Sequence, residues 1–318
     1  MKLKNITSIG DLVIDLITHV DLPILPNNHQ ETGRMIVELG GACNFIIMSL
    51  RLGMHVNVIG TVGNDLYGKE IKDKLNNEGA NTSGIITYKN SKTSIVYDLI
   101  DKSTKEHVFI GNYATGKNLY LSNKIKNIIY NSDLIYIQGY NLIESQLKPI
   151  IFDLLDEIKL QNKLIFCDSG PILKSIRKNI IRKFISKCDI LSLTEEEIVY
   201  ISKKKDVNES LKYIFELGIS LIIVKKGANG CEFITKNKKI IEPGLKVEVI
   251  DTIGAGDCFN AGAIYGILND YEIENCAKIA NLCGSTAASK QGCGLNVPLK
   301  KELIQNIKKY DNKNCLEF

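Results

Sequence analysis

Between residues 164 and 224 the chain reads Leu164-Ile165-Phe166-Cys167, then Ile190-Leu191-Ser192-Leu193, then Leu221-Ile222-Ile223-Val224. These short apolar and β-branched runs are separated by the longer segments Ser175–Lys187 and Asn208–Leu217, whose apolar residues recur at helical intervals. Continuous apolar runs of about four to eight residues suit strands buried on both faces. The alternation extends towards the N-terminus, with strands at Ile6–Ile9, Val56–Ile59 and Leu134–Ile137 and helices at Asn44–Leu52, Asp65–Glu78 and Glu144–Leu160. Strand and helix in turn predict an α/β fold, a three-layer sandwich around a mostly parallel central sheet.

Two stretches interrupt that rhythm. Leu12–Leu39 and Thr93–Gly111 read as consecutive strands, as in Ile95-Val96-Tyr97-Asp98-Leu99-Ile100 followed by His107-Val108-Phe109-Ile110. Antiparallel insertions of this kind predict a small β-strand lid, discontinuous in sequence, on a single domain spanning residues 1–318. Strand edges in such a lid also predict a homodimer formed through it.

Composition narrows the function. The 318 residues carry 40 Lys and Arg against 36 Asp and Glu, a net charge of +4, so there is no basic footprint for nucleic acid. At 44% hydrophobic and 24% charged the chain is a globular one rather than a disordered one. No apolar run reaches the roughly 18 residues of a membrane span, so no membrane partner is expected. The nine cysteines include no C-x-x-C pair. Their odd number, their apolar surroundings and the lack of a secretory signal predict buried, reduced thiols in a cytoplasmic protein.

Some familiar patterns fail on inspection. Gly63-Asn64-Asp65-Leu66-Tyr67-Gly68-Lys69 and Gly111-Asn112-Tyr113-Ala114-Thr115-Gly116-Lys117 approach a P-loop, but Glu70 and Asn118 stand where the Mg²⁺-binding hydroxyl belongs. After the first strand the chain reads Gly10-Asp11-Leu12-Val13-Ile14-Asp15, without the G-x-G-x-x-G of a dinucleotide-binding oxidoreductase.

The segment Asp251-Thr252-Ile253-Gly254-Ala255-Gly256-Asp257-Cys258-Phe259-Asn260-Ala261-Gly262 carries chemistry. It follows a strand-like run and opens a helix rich in small residues. Backbone N–H groups flanked by glycines converge there on an anion. A carboxylate beside that anion repels it, yet is well placed to take the proton of a hydroxyl attacking a phosphoryl group. The same residues also suit a plain helix start, with Asp257 complementing the dipole. Gly40-Gly41-Ala42-Cys43-Asn44 opens another helix, where the glycines allow close approach and Asn44 can donate to and accept from a hydroxyl. Asp15, placed at the end of the first body strand, could accept from two hydroxyls of a polyol. Singly, each of these is a turn, a cap or a surface acid; together they set hydroxyl-reading groups against an anion site.

On these motifs the chain resembles the ribokinase-like, PfkB-type carbohydrate kinases over essentially its whole length. One family signature matches Gly40 through Asn44 and continues through Gly53, Gly60, Gly63, Asp65 and Gly68; the other matches Asp251 through Gly262. The resemblance implies a ribokinase-like fold and transfer of the γ-phosphate of ATP to a small sugar of the ribose, fructose or keto-deoxy sugar acid class. It implies Asp257 as general base, Gly254, Ala255 and Gly256 as its anion hole, and Asp15, Gly40, Gly41 and Asn44 as the sugar site. Lys225, Gly227 and Asn281, with the turn at Gly292–Gly294, match nucleotide-binding positions. Glu197 matches an acid that acts indirectly on Mg²⁺, and Asp251 and Ile253 a site that holds a monovalent cation, K⁺, in some members.

The chain departs from the family at two motifs. Thr194-Glu195-Glu196-Glu197 replaces an Asn-x-x-Glu, and Gln138-Gly139-Tyr140 stands where ribokinases carry a substrate-facing glutamate. Alternative readings are a nucleoside or vitamin kinase, with Tyr97, Phe109 and Tyr113 as a stacking platform, and a non-catalytic sugar sensor. A phosphosugar would call on Arg34 and Lys92. Cys43 and Cys258 lie inside the two signatures, so their alkylation is expected to inactivate, with ATP and sugar protecting.

Overall fold

A computed structural model of the chain describes residues 4–104, 106–113, 119–142, 147–170, 175–204 and 206–310. The chain starts in β1 (Asn5–Ile9), then runs through β2 (Leu12–Val20) and β3 (Ile36–Gly41) into α1 (Ala42–Arg51). Next come β4 (His55–Gly63), α2 (Leu66–Asn77), β5 (Asn81–Tyr88), β6 (Ser94–Asp101) and β7 (His107–Asn112). The middle of the chain is α3 (Asn123–Tyr130), β8 (Leu134–Gln138), α4 (Leu147–Leu160), β9 (Leu164–Asp168), α5 (Lys178–Ile185) and β10 (Ile190–Thr194). It continues through α6 (Glu195–Ser202), α7 (Val207–Glu216), β11 (Leu221–Lys225), β12 (Cys231–Ile234) and β13 (Lys239–Glu242), and closes with α8 (Ala255–Leu268), α9 (Ile273–Ala288) and α10 (Lys300–Tyr310).

Among the described residues nine strands form one sheet in the order β13-β12-β11-β10-β9-β8-β1-β4-β5. Pairing is parallel from β11 through β5 and antiparallel only at β12 and β13. The apolar runs are continuous because alternate side chains enter different layers. Tyr136 and Phe166 join Phe45 and Ile264 on one face, while Ile137 and Cys167 join Leu155 and Phe184 on the other. The Phe45 and Tyr136 rings stack with centroids 3.6 Å apart, fixing α1 against β8.

The two expected insertions form a separate four-stranded sheet, β3-β2-β6-β7, with β2 and β6 parallel and the outer pairs antiparallel. Asp15 belongs to this sheet, opposite Glu38, and not to the end of the first body strand. The large sheet loses the chain at Ile9, and the Gly10-Asp11 corner redirects it into β2.

The first P-loop-like segment is a helix cap. Asp65 accepts from Gly68 N at 2.9 Å and from the Thr93 hydroxyl at 2.6 Å, so its carboxylate serves the start of α2. In the second, Ala114 to Lys117 lie outside the described residues, as does Glu144 at the expected start of the fourth helix.

The thiols need two corrections. Cys167 and Cys188 are joined as a disulfide with Cα atoms 6.1 Å apart, so not all nine are reduced. The 21-residue separation conceals a chain that returns alongside β9, where Asp189 N donates to Ile165 O. Cys43 and Cys258 are fully buried, which removes them as ready alkylation targets. Burial also pushes both thiols well above their ordinary pKa, keeping the reactive thiolate scarce. No helix of the described residues is long and apolar enough to cross a membrane.

Candidate active site

Where the strands of the large sheet end at their carboxyl edge, several close on a polar residue. Gln138 ends β8, Asp168 ends β9, Thr194 ends β10 and Lys225 ends β11. In open α/β sheets ligands bind beyond this edge. The four residues line one cleft of about 1030 Å³, bounded on the far side by Val13, Asp15 and Val96 of the small sheet.

The N-terminus of α8 points into this cleft. Its cap residue Gly254 has φ +72°, a left-handed conformation that favours glycine, and a Cβ there would crowd the Asn44 side-chain carbon at 3.1 Å. Asp257, in the first turn, receives Asn44 Nδ2 at 3.2 Å on one oxygen and Gln138 Nε2 at 2.8 Å on the other. Burial pushes its pKa up to about 7, with the Asp168 charge adding to the rise and Asn44, Lys225 and Gln138 opposing it. Asn44 is itself fixed, since its Oδ1 accepts from Gly294 N at 2.7 Å.

On the small-sheet side Asp15 is 7% exposed and accepts from the Cys293 thiol at 3.5 Å. Burial pushes its pKa up to about 7 despite that thiol, and the Asp98 and Asp257 charges add to it. Gly41 lines the cleft beside Asp15, whereas Gly40 backs the Asp15 carboxyl. The structure therefore brings Asp15, the Gly41–Asn44 segment and Asp257 together from three places in the sequence.

At the other end Lys225 Nζ pairs with Asp168 Oδ1 at 2.8 Å, and Asn260 Nδ2 donates to Asp168 Oδ2 at 2.8 Å. Burial works against the lysine charge, but Asp168 and Glu197 beside it hold its pKa above the ordinary value. Gly227 lines the same end. Glu197 closes a capping box with Thr194, which stands where the family motif has asparagine, and accepts from the Ser169 hydroxyl at 2.6 Å. Asp251 accepts from Ile253 N and Gly292 N, each at 2.9 Å, shaping the loop that brings Ile253 to the cleft. Asn281 does not line the cleft; its amide donates to the carbonyls of Glu242 and Pro243 and braces the segment after β13.

Phe109 and Tyr113 line the cleft, while Tyr97, Arg34 and Lys92 lie outside it. Sequence reasoning missed Asp168 as a site residue and treated Gln138 only as a departure from the family. The available signal was a polar residue closing an otherwise apolar strand. Among the described residues no group of three or more His, Cys, Asp and Glu is arranged to hold a metal ion by itself.

Comparison with known proteins agrees with this architecture. Residues 3–300 match the pfkB family carbohydrate kinase model. The fructokinase of Vibrio alginolyticus is 24% identical over 312 residues, covering 94% of this chain and 97% of its own. Among solved structures, the nucleoside kinase of Methanocaldococcus jannaschii superposes with a TM-score of 0.83 at 23% identity, over 97% of this chain and 99% of that one. An E. coli structure described as a ribokinase II in complex with ATP and Mg²⁺ superposes at 0.82 with 22% identity, over 97% and 100%. The chain belongs to the pfkB family of carbohydrate kinases and has the ribokinase fold.

Proposed function

We propose that this carbohydrate kinase transfers the γ-phosphoryl group of ATP to a hydroxyl of a small, uncharged sugar. The observation that carries the reading is the position of Asp257. Its carboxylate lies at the N-terminus of α8, between the hydroxyl-reading pair Asp15 and Asn44 and the cationic end at Lys225.

In this reading Asp15 and Asn44 orient the acceptor, and Asp257 takes its proton as the oxygen attacks phosphorus. A positioned base of this kind contributes roughly 10²–10⁴ in rate. Gly254 and Gly256 line the cleft and present backbone N–H groups to the charge that develops on the transferred group, whereas the Ala255 N–H, expected to join them, is committed to Thr252 O at 3.2 Å; Lys225 faces the phosphate chain. The small sheet acts as the lid, holding the acceptor against the base and excluding water that would otherwise consume ATP.

Mg²⁺ usually keeps several waters and takes only one or two protein carboxylates beside substrate phosphates, a donor set that the carboxylate of Glu197 in the cleft fits. Glu197, which lines the cleft, is the residue that would hold the hydrated ion, whose bound charge would neutralise the phosphates. K⁺ at Asp251 and Ile253 rests on the family resemblance, because both Asp251 oxygens already accept backbone N–H groups.

Asp11, Asp15 and Asp257 all face the acceptor end, a field that disfavours a phosphosugar or sugar acid. Phe109 and Tyr113 on the same side support a nucleoside as the second reading. A homodimer through the lid belongs to the proposal as well: β7 is an edge strand whose Val108, Phe109 and Ile110 are exposed beside Tyr97 of β6. A coupled ADP-release assay over ribose, fructose, 2-keto-3-deoxygluconate, fructose phosphates and nucleosides tests the function. Turnover of fructose or ribose is expected. Turnover of nucleosides alone would establish the second reading, and turnover of none would overturn both.

A further inference from the structure

We propose that Gln138 is the positioning residue of the catalytic base, holding the Asp257 carboxylate in its charged form and in line with the acceptor. The inference rests on Asp257 as base and deepens that reading.

Gln138 is the last residue of β8, at the middle of the large sheet, and is 4% exposed. Its carbonyl is tied to the end of the neighbouring β1, since Asn141 Nδ2 donates both to Gln138 O at 2.8 Å and to Ile9 O at 3.1 Å. Gly10 makes room for the side chain: a Cβ there would lie 2.7 Å from the Ala42 Cβ and 3.3 Å from Gln138 Oε1. The amide therefore reaches Asp257 from a rigid strand end through a gap that a larger residue would fill.

The two ends of this amide are treated differently. Nε2 donates to Asp257 Oδ1 at 2.8 Å, while Oε1 is buried without a partner. A buried, unpaired acceptor costs stability. Rotating the amide would place oxygen against the carboxylate oxygen and leave the N–H groups without that acceptor, which is worse while Asp257 is charged. The orientation is thus selected by Asp257, at the expense of Oε1. Asn44 holds the other oxygen at 3.2 Å, so the carboxylate is gripped from both sides by uncharged donors.

Uncharged donors suit a base that must shed and regain a proton. An ammonium or guanidinium in place of Gln138 would hold the carboxylate ionised so firmly that it would accept a proton poorly. An apolar residue would leave the burial and the Asp168 charge to keep the group protonated. Other titratable groups facing Asp257 are Asp15 on β2, Cys43 on α1, Asp168 on β9, Lys225 on β11, Cys258 on α8, and Tyr136 and Tyr140 on either side of Gln138. Of these only Tyr136 also hydrogen-bonds Gln138, and burial holds its phenol well above the ordinary value and so neutral in every variant, which leaves the contribution of the amide to Asp257 isolated.

The test follows Asp257 directly by carboxyl ¹³C NMR on the full chain labelled at aspartate, with its resonance identified as the one that Asp257→Asn removes. Gln138→Met removes the donor and keeps the volume, while Gln138→Glu keeps the shape and places a second carboxyl against the first. The Asp257 midpoint is expected to rise by at least about half a pH unit in Gln138→Met and by about one unit or more in Gln138→Glu. In turnover, Gln138→Met is expected to lose more activity at pH 6 than at pH 9, because the deficit is one of ionisation. A midpoint unmoved in either folded variant, or an equal loss at both pH values, would overturn the inference. Failure of the base assignment is separate: it would show as near-normal turnover in Asp257→Asn, whatever the Gln138 variants do.

Discussion

Gly40 and the carboxyl of Asp15 meet across β2 and β3 with no room for a methyl group between them: a Cβ on Gly40 would lie 2.1 Å from both Cγ and Oδ2 of Asp15. The neighbouring strand thus serves the site by what it omits. Because Asp15 is buried and touches Cys293, a methyl group at position 40 must turn the carboxyl out of place. Gly40→Ala is expected to raise KM for the acceptor at least about tenfold and leave KM for ATP within about twofold, as displacement of one positioning group should. An unchanged acceptor KM in steady-state kinetics would remove Asp15 from the sugar site.

Asp257→Asn is expected to lower kcat by at least about 10² while acceptor affinity stays within a few-fold, since the amide can bind the hydroxyl but cannot take its proton. The base works only when ionised. With the group titrating at about 7, kcat/KM should fall about tenfold for each pH unit below that point. A profile level down to pH 5 would contradict the assignment.

Much of this architecture is legible in single stretches of sequence, and the exceptions have a common cause. Leu134–Ile137, Leu164–Cys167 and Leu221–Val224 announce themselves as strands because each run is apolar on both faces, and the glycines around Asp257 mark the helix start. Gln138 and Asp168 become neighbours through the parallel register of β8 and β9, a relation between segments about thirty residues apart that no local pattern encodes. The Cys167–Cys188 pair is hidden in the same way. Asp15 looked like the end of a body strand because Ile6–Ile9 and Leu12–Val20 form almost one apolar run; only the Gly10-Asp11 corner divides them between two sheets.

Lys225 and Asp168 form a pair with side chains 17% and 9% exposed, so removing one partner leaves the other's charge stranded. Lys225→Met is expected to raise KM for ATP at least about tenfold and to destabilise the fold by roughly 3–5 kcal/mol. The double variant Lys225→Met, Asp168→Asn should regain most of that stability and none of the ATP affinity. Urea unfolding and kinetics on the same four proteins separate the two effects. Recovery of both together would mean that the pair is purely structural.

Cys43 and Cys258 should resist iodoacetamide in the folded chain despite their places in the two signatures. Both are fully buried, and burial raises both thiols. Mass spectrometry after brief labelling should find them unmodified until the protein is denatured, and should find the peptides of Cys167 and Cys188 linked until reductant is added. Rapid native labelling at Cys258, beside the base, would show that the first turn of α8 opens far more readily than its packing implies.

Asp15 and Asp257 give the fold an unusual dependence on pH, because both are pushed from 3.8 up to about 7. In the unfolded chain these carboxyls lose their protons near 4; in the folded protein they keep them to about 7. Folding therefore takes up protons across that window, and their contribution to stability is largest below pH 4 and falls as pH rises towards 7. Above it, each ionised carboxylate costs on the order of 2–4 kcal/mol relative to its unfolded state. Asp15→Asn and Asp257→Asn should consequently melt several degrees above the parent at pH 8, with the advantage shrinking as pH approaches 4. Calorimetry at the two pH values decides the matter, and an equal difference at both would show that neither carboxylate is held against its charge.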